Sequence, residues 1–258
     1  MKILEVHNLV KTFKDPNNRN FKVLDDITLS LNEGEVLGLV GESGSGKTTL
    51  GRTIIRLTNQ DSGNIIFDNI DISNLSKSVM KKIRKDMQII FQDPFGSLNP
   101  RHSIEHIIAE PLLVHNYGTY AEIKKRVLQL LDQVGLTKDS MKLYPHEFSG
   151  GQRQRIAIAR AIALKPKFLI ADEAVSALDV SIQSQILNLI SDLVKEYNIS
   201  MVFISHDLSV IRHISSNIAI MKKGKIVEMG NTEKVLKHPS HEYTQMLIAA
   251  VPGLQSNF

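Results

Sequence analysis

The chain has 258 residues, a formal net charge of +4 (31 Lys and Arg against 27 Asp and Glu), and neither Cys nor Trp. This length, with 42% apolar residues, is enough to bury a sizeable core and excludes wholesale disorder. The lack of Cys excludes a disulfide framework, a thiolate zinc site, a Cys nucleophile and a Cys-ligated iron–sulfur cluster, and the small net charge describes an ordinary solvated surface rather than a nucleic-acid footprint.

In chain order, Ile3–Leu9, Val23–Leu31 and Asn64–Ile72 partly alternate and are separated by turn residues, which predicts antiparallel strands. Val36–Val40, Gln88–Phe91, Phe168–Ala171, Met201–Ser205 and Ile218–Met221 are short and continuously apolar, as strands buried on both faces should be. Helical spacing between them predicts βαβ units and an α/β fold with a mostly parallel sheet. Between Asp93 and about Leu164 the spacing is helical (Ile104, Ile107, Ile108; Ile123, Val127, Leu130, Leu131, Val134), with Gly135 as a helix C-terminal residue. The expected organisation is an α/β core with its antiparallel part over 1–92 and 165–230, a helical subdomain over 93–164 and a helical tail over 231–258. The tail reads as a helix over Thr232–Lys237, a His238-Pro239 break, and a second helix from about His241 to Ala250. No run of about 18 apolar residues spans a bilayer. Glu5 stands where a signal peptide would be apolar, so a cytosolic chain that meets the membrane through a partner is expected.

Gly41-Glu42-Ser43-Gly44-Ser45-Gly46-Lys47-Thr48 matches G-x-x-x-x-G-K-[ST], after a predicted strand and before a helical pattern. Glycines let backbone N–H groups converge on phosphate oxygens, and the following helix N-terminus favours an anion. Gly41, Ser43, Gly44, Ser45, Gly46, Lys47, Thr48 and the adjoining Thr49 are therefore candidate nucleotide-binding residues. Lys47 can reach the β- and γ-phosphates and Thr48 can ligate Mg²⁺.

Asp172-Glu173 ends an apolar strand, where unpaired acids are costly. Asp172 is the expected Mg²⁺ ligand and Glu173 the general base for the attacking water. His206 follows Met201–Ser205, and Gln92 follows Gln88–Phe91. Both stand just past a strand end, where ligands bind in open α/β sheets. His206 is a candidate γ-phosphate contact. Gln92 can coordinate Mg²⁺ or orient water, and at the junction with the helical region it can couple nucleotide state to movement. Ser149 can N-cap the helix that opens at Gly150-Gly151-Gln152, and the Gly pair exposes N–H groups to a second anion.

In combination these motifs resemble the ATP-binding subunit of an ABC transporter over nearly the whole chain, with a P-loop NTPase core, an N-terminal antiparallel β subdomain and an inserted helical subdomain. The resemblance implies a head-to-tail dimer holding two ATP molecules, with the phosphate loop of one subunit and Ser149, Gly150, Gly151 and Gln152 of the other on the same γ-phosphate. It further implies that Asp179, in Ser176-Ala177-Leu178-Asp179, lies across the dimer from the partner's site, and that Phe13 stacks on adenine; the alternative for Phe13 is a half-buried core side chain.

Phe91–Arg101, Tyr144–Phe148 and His238–Thr244 look like the oligopeptide/dipeptide/nickel importer group, and Gly151-Gln152-Arg153-Gln154-Arg155 looks like its "F" type subunit. Departures are Phe148 for a general Leu, Ala174 for a typical Pro and Asn69 for a typical turn Gly. A Cys-bearing tail common in the group is expected to be absent. The implied function is ATP hydrolysis that powers import of peptides or nickel and other metal chelates. The implied partners are two transmembrane permease subunits, a second ATP-binding subunit (a heterodimer rather than a homodimer), an extracytoplasmic solute-binding protein and no nucleic acid, at the cytoplasmic face of the cell membrane. Rival readings are a soluble ATPase of DNA maintenance or translation, a non-catalytic regulatory subunit and an exporter. The single cassette, the 57 positions from Gln92 to Ser149, the intact Glu173 and His206, and the Asp93–Arg101 segment disfavour them in turn.

Overall fold

The computed structural model describes residues 1–15 and 17–251, which divide into two compact units. The first comprises residues 1–77 and the described residues from Ser200 on; the second comprises Ser78–Ile199.

In the first unit, β1 (Lys2–Lys14), β2 (Asn20–Asn32), β4 (Ser62–Phe67) and β5 (Ile70–Asp71) form an antiparallel sheet in the order β2-β1-β4-β5. The alternation is only partial because the β1–β2 ladder shifts register between Val6 and Leu9. Asn8 and Asp26 take left-handed φ of 48° and 61° there, and Asn8 Nδ2 donates to Asp26 Oδ1 at 2.7 Å. Asn and Asp tolerate this conformation better than branched residues. The predicted third strand is two strands. Asp68 and Asn69 (φ 48° and 62°) turn the chain between β4 and β5, so Asn69 supplies the left-handed residue that a turn Gly would otherwise provide.

The same unit holds β3 (Val36–Val40), β8 (Ser200–Ser205), β9 (Asn217–Lys222) and β10 (Lys225–Asn231). β3 lies parallel to both β8 and β9, and β10 returns antiparallel to β9. Leu37, Leu39, Val202, Phe203, Ile204, Ile218 and Ile220 are at most 1% exposed, which explains the unbroken apolar runs. Burying such side chains contributes about 1.5–3 kcal/mol each. The helices are α1 (Lys47–Ile54), α8 (Leu208–Ile214), α9 (Thr232–Lys237) and α10 (Glu242–Ala249).

In the second unit, β6 (Met87–Ile90) lies parallel to β7 (Phe168–Asp172). The helices are α2 (Lys77–Ile83), α3 (Pro94–Ser97), α4 (Ile104–Val114), α5 (Tyr120–Gln133), α6 (Gly150–Ala161) and α7 (Val180–Glu196). The apolar stripes of α4 and α5 are buried as their spacing predicts, and Gly135 ends the α5 segment at φ 70°. Buried Arg126 donates from Nε and Nη2 to the carbonyls of Ala163 and Ile162, satisfying acceptors that the end of α6 leaves without a helical partner. Among the described residues no helix is long and apolar enough to cross a membrane.

Candidate functional site

β3 delivers the chain to Gly41, where a side chain would collide with the Met221 carbonyl. The loop then turns through Gly44 and Gly46 (φ 79° and 105°), conformations that L side chains rarely adopt, and Gly46 begins α1. Gly224 N–H donates to the Ser45 carbonyl at 3.0 Å. Lys47 is 4% exposed, and its Nζ donates to the carbonyls of Gly41 (2.7 Å) and Glu42 (2.9 Å). A buried ammonium is tolerated only when its donors are satisfied, and here the loop's own carbonyls satisfy them. The buried Ser45 Oγ has no hydrogen-bond partner among the described residues. A glycine-rich turn, a buried ammonium and an orphaned hydroxyl at a helix N-terminus fit a polyphosphate.

His206 leaves β8 one residue after Ser205, which is the register partner of Val40. His206 and the phosphate loop therefore leave the same end of adjacent parallel strands. The turn that carries His206 is held on both sides. Asp207 N–H donates to Ser205 Oγ (3.0 Å), and Asp207 Oδ1 accepts from Ser209 N–H (2.8 Å) to cap α8. Phe13, in register with Phe21 on β2, is 39% exposed, so it is not a core side chain. The Phe13 and Phe21 ring centroids are 6.4 Å apart, and Lys11 Nζ stands 5.3 Å from the Phe13 ring.

In the second unit β7 is buried along its whole length and ends at Asp172, which is 1% exposed. Glu173 follows with a left-handed φ of 47°, an uncommon conformation for a residue with a Cβ. The strain is supported locally, because the Glu173 carbonyl accepts from Ser176 Oγ (3.0 Å) and Ser176 N–H (3.1 Å). Gln92, just past β6, donates from Nε2 to Glu173 Oε2 at 2.8 Å. Pairing of Ile90 with Ala171 brings those two strand ends together.

Ser149 caps α6 as its position predicts. Its Oγ accepts from Gln152 N–H (3.3 Å) and Gln152 Oε1 accepts from Ser149 N–H (3.0 Å), a reciprocal capping box. Gly151 also has a packing reason, since a Cβ there would sit 2.7 Å from Ile182 Cγ2 on α7. Asp179 occupies the N-cap position of α7 with no capping bond from its side chain, and Val180 beside it is 79% exposed. Sequence reasoning singled out His238–Thr244 as a motif but assigned it no contact. Tyr243 of that segment accepts a 3.2 Å hydrogen bond from Glu42 N–H in the phosphate loop, 201 positions away.

The ABC transporter family model matches residues 24–176, and the model of the oligopeptide/dipeptide transporter C-terminal region matches residues 227–257. The oligopeptide transport ATP-binding protein OppF of Streptococcus mutans is 52% identical over 252 residues, covering 97% of this chain and 82% of that protein. The dipeptide transport ATP-binding protein DppF of Lactococcus lactis is 48% identical over 255 residues, covering 98% of this chain and 82% of that protein. A dimeric ATP-binding cassette solved in a post-hydrolysis state with ADP and Pi is similar with a TM-score of 0.81 and 31% identity, covering 89% of this chain and 98% of that one. The resemblance drawn from Phe91–Arg101 and Gly151–Arg155, to the importer group and its "F" type, agrees with these relatives.

Proposed function

The chain belongs to the ABC transporter family, and from that premise we propose that it is the ATP-hydrolysing subunit that energises import of peptides through two permease subunits at the cytoplasmic face of the membrane. The observation that carries the ATPase reading is the Gln92–Glu173 hydrogen bond, which holds a carboxylate in a defined orientation at the end of a buried strand. Relatives named for oligopeptides and dipeptides support peptides as the solute rather than nickel chelates.

The roles follow from each side chain's chemistry. The loop Gly41–Thr49 holds the phosphates of ATP, and Lys47 exchanges its bonds to the Gly41 and Glu42 carbonyls for phosphate oxygens. Phe13 offers an exposed ring for adenine. Glu173 takes a proton from water as general base, Gln92 orients that carboxylate, and His206 donates toward the γ-phosphate. Thr48 offers a hydroxyl, Gln92 an amide oxygen and Asp172 a carboxylate, each a hard-oxygen donor of the kind Mg²⁺ takes. Bound Mg²⁺ supplies neutralisation of phosphate charge. Ser149–Gln152 present a capped helix start, and Asp179 a carboxylate that makes no capping bond, to a second ATP-binding subunit. A heterodimer with a related subunit, served by a solute-binding protein outside the membrane, is the assembly this reading favours.

The test is to capture a tagged Glu173→Gln chain from detergent-solubilised membranes with Mg·ATP. Recovery with two multi-span proteins and a second ATPase is the expected result. Recovery alone, or with ribosomes or DNA, overturns the transporter reading and leaves the ATPase.

A further inference from the structure

Glu42 is gripped on both sides of its backbone. Its N–H donates to the Tyr243 hydroxyl at 3.2 Å, and its carbonyl accepts from Lys47 Nζ at 2.9 Å. Tyr243 lies on α10, in the segment matched by the oligopeptide/dipeptide transporter C-terminal model, and is 2% exposed. Lys222 at the end of β9 sits with Nζ 4.5 Å from the Tyr243 ring centroid, so the ring is held from the sheet side as well. Burial pushes the Tyr243 hydroxyl's pKa up, which keeps it protonated through the neutral range.

The two grips on Glu42 respond differently to nucleotide. Lys47 is the group that turns to phosphate, and when it does the Glu42 carbonyl loses that donor. The Tyr243 hydroxyl makes no use of Lys47, and its bond to the Glu42 N–H is independent of phosphate. Without nucleotide the two restraints back each other up. With nucleotide bound, Tyr243 is the one that holds the first turn of the loop in shape.

We infer that Tyr243 is a positioning residue for ATP binding, through which the C-terminal helix α10 holds the phosphate loop in its nucleotide-bound shape. The inference rests on the ATP reading above and assigns that matched C-terminal segment a role within its own chain. Removing the hydroxyl weakens the bound state more than the free state, so it lowers nucleotide affinity rather than the rate of the chemical step.

The experiment compares full-length wild type, Tyr243→Phe and Met246→Ala, the last an exposed residue of the same helix (60%). Dissociation constants for a fluorescent ATP analogue, KM and kcat for ATP, and thermal unfolding are measured for each. Expected for Tyr243→Phe is a roughly three- to tenfold rise in Kd and KM, the size of one hydrogen bond, with kcat within about twofold and the unfolding transition close to wild type. Met246→Ala should match wild type. Unchanged Kd and KM in Tyr243→Phe, or a fall in kcat and unfolding temperature with affinity kept, overturns the inference. Wild type that fails to bind the analogue overturns the ATP reading itself, and this inference with it.

Discussion

Gln92 donates from Nε2 to Glu173 Oε2 at 2.8 Å although 81 positions separate the two residues in sequence. In the function proposed above, that carboxylate takes the proton of the attacking water. Glu173→Gln keeps the shape and removes the proposed base, so ATP binding should persist while turnover falls by about 100-fold or more, the ordinary size of a general-base contribution. Gln92→Ala leaves the base but not its orientation, and turnover should fall by about tenfold. Steady-state hydrolysis beside ATP-analogue binding measures both. Wild-type turnover in Glu173→Gln would remove the base assignment.

Lys47 and Gly46 give a second prediction, because one acts through charge and the other through backbone shape. Lys47→Ala removes the ammonium that Gly41 and Glu42 hold, and ATP binding should fall by more than about tenfold with the fold retained. Gly46→Ala forces a side chain into φ 105° and toward the Val23 carbonyl at 2.8 Å. It should lose nucleotide binding and also cost roughly 1–3 kcal/mol of stability. Denaturant unfolding separates the two, and equal stability losses would refute the division.

Much of this arrangement was legible from residue order, for reasons that differ by element. Val36–Val40 was readable because both faces are buried, which makes the run apolar without a break. Thr232–Lys237 was readable because Asn231 caps it and Pro239 follows its end. β1 and β2 run beyond the stretches that alternate, since a left-handed pair at Asn8 and Asp26 interrupts the alternation that marks a strand. β10 carries little strand signal because Lys225–Asn231 is an edge strand whose few apolar residues are mixed with Glu228, Gly230 and Asn231. The phosphate loop was visible as a local motif. The Tyr243–Glu42 contact was not, because nothing local marks a hydroxyl that meets a backbone amide 201 positions away.

Ser149 caps α6, and the proposed function gives it a second, separable task, meeting a phosphate. Ser149→Ala removes the cap acceptor and should cost about 1 kcal/mol, read as a lower unfolding temperature. Ser149→Asp restores an N-cap of equal quality, so stability should return to wild type. An added carboxylate repels phosphate, so ATP turnover should nevertheless be lost in Ser149→Asp. Full turnover in a stable Ser149→Asp protein would leave Ser149 with capping alone.

Glu228 anchors the turn that leads into α10. Its two carboxylate oxygens accept from Ser240 N–H (2.8 Å) and His241 N–H (3.1 Å). Burial by itself raises its pKa, but the hydrogen bonds from those two N–H groups outweigh it and hold the value below the ordinary 4.5. A folded pKa below the unfolded one means that the ionised carboxylate favours the fold at neutral pH, and that this contribution fades as pH falls through the folded pKa. Glu228→Gln should therefore unfold at a lower temperature than wild type at pH 7, with the gap closing below about pH 4. The same turn sets where Tyr243 stands, so at pH 7 Glu228→Gln should also raise KM for ATP, in the direction expected for Tyr243→Phe but by less. Thermal unfolding across that pH range, with KM at neutral pH, checks both parts. A stability gap that persists unchanged into acid would mean that the carboxylate's charge plays no part in holding the turn.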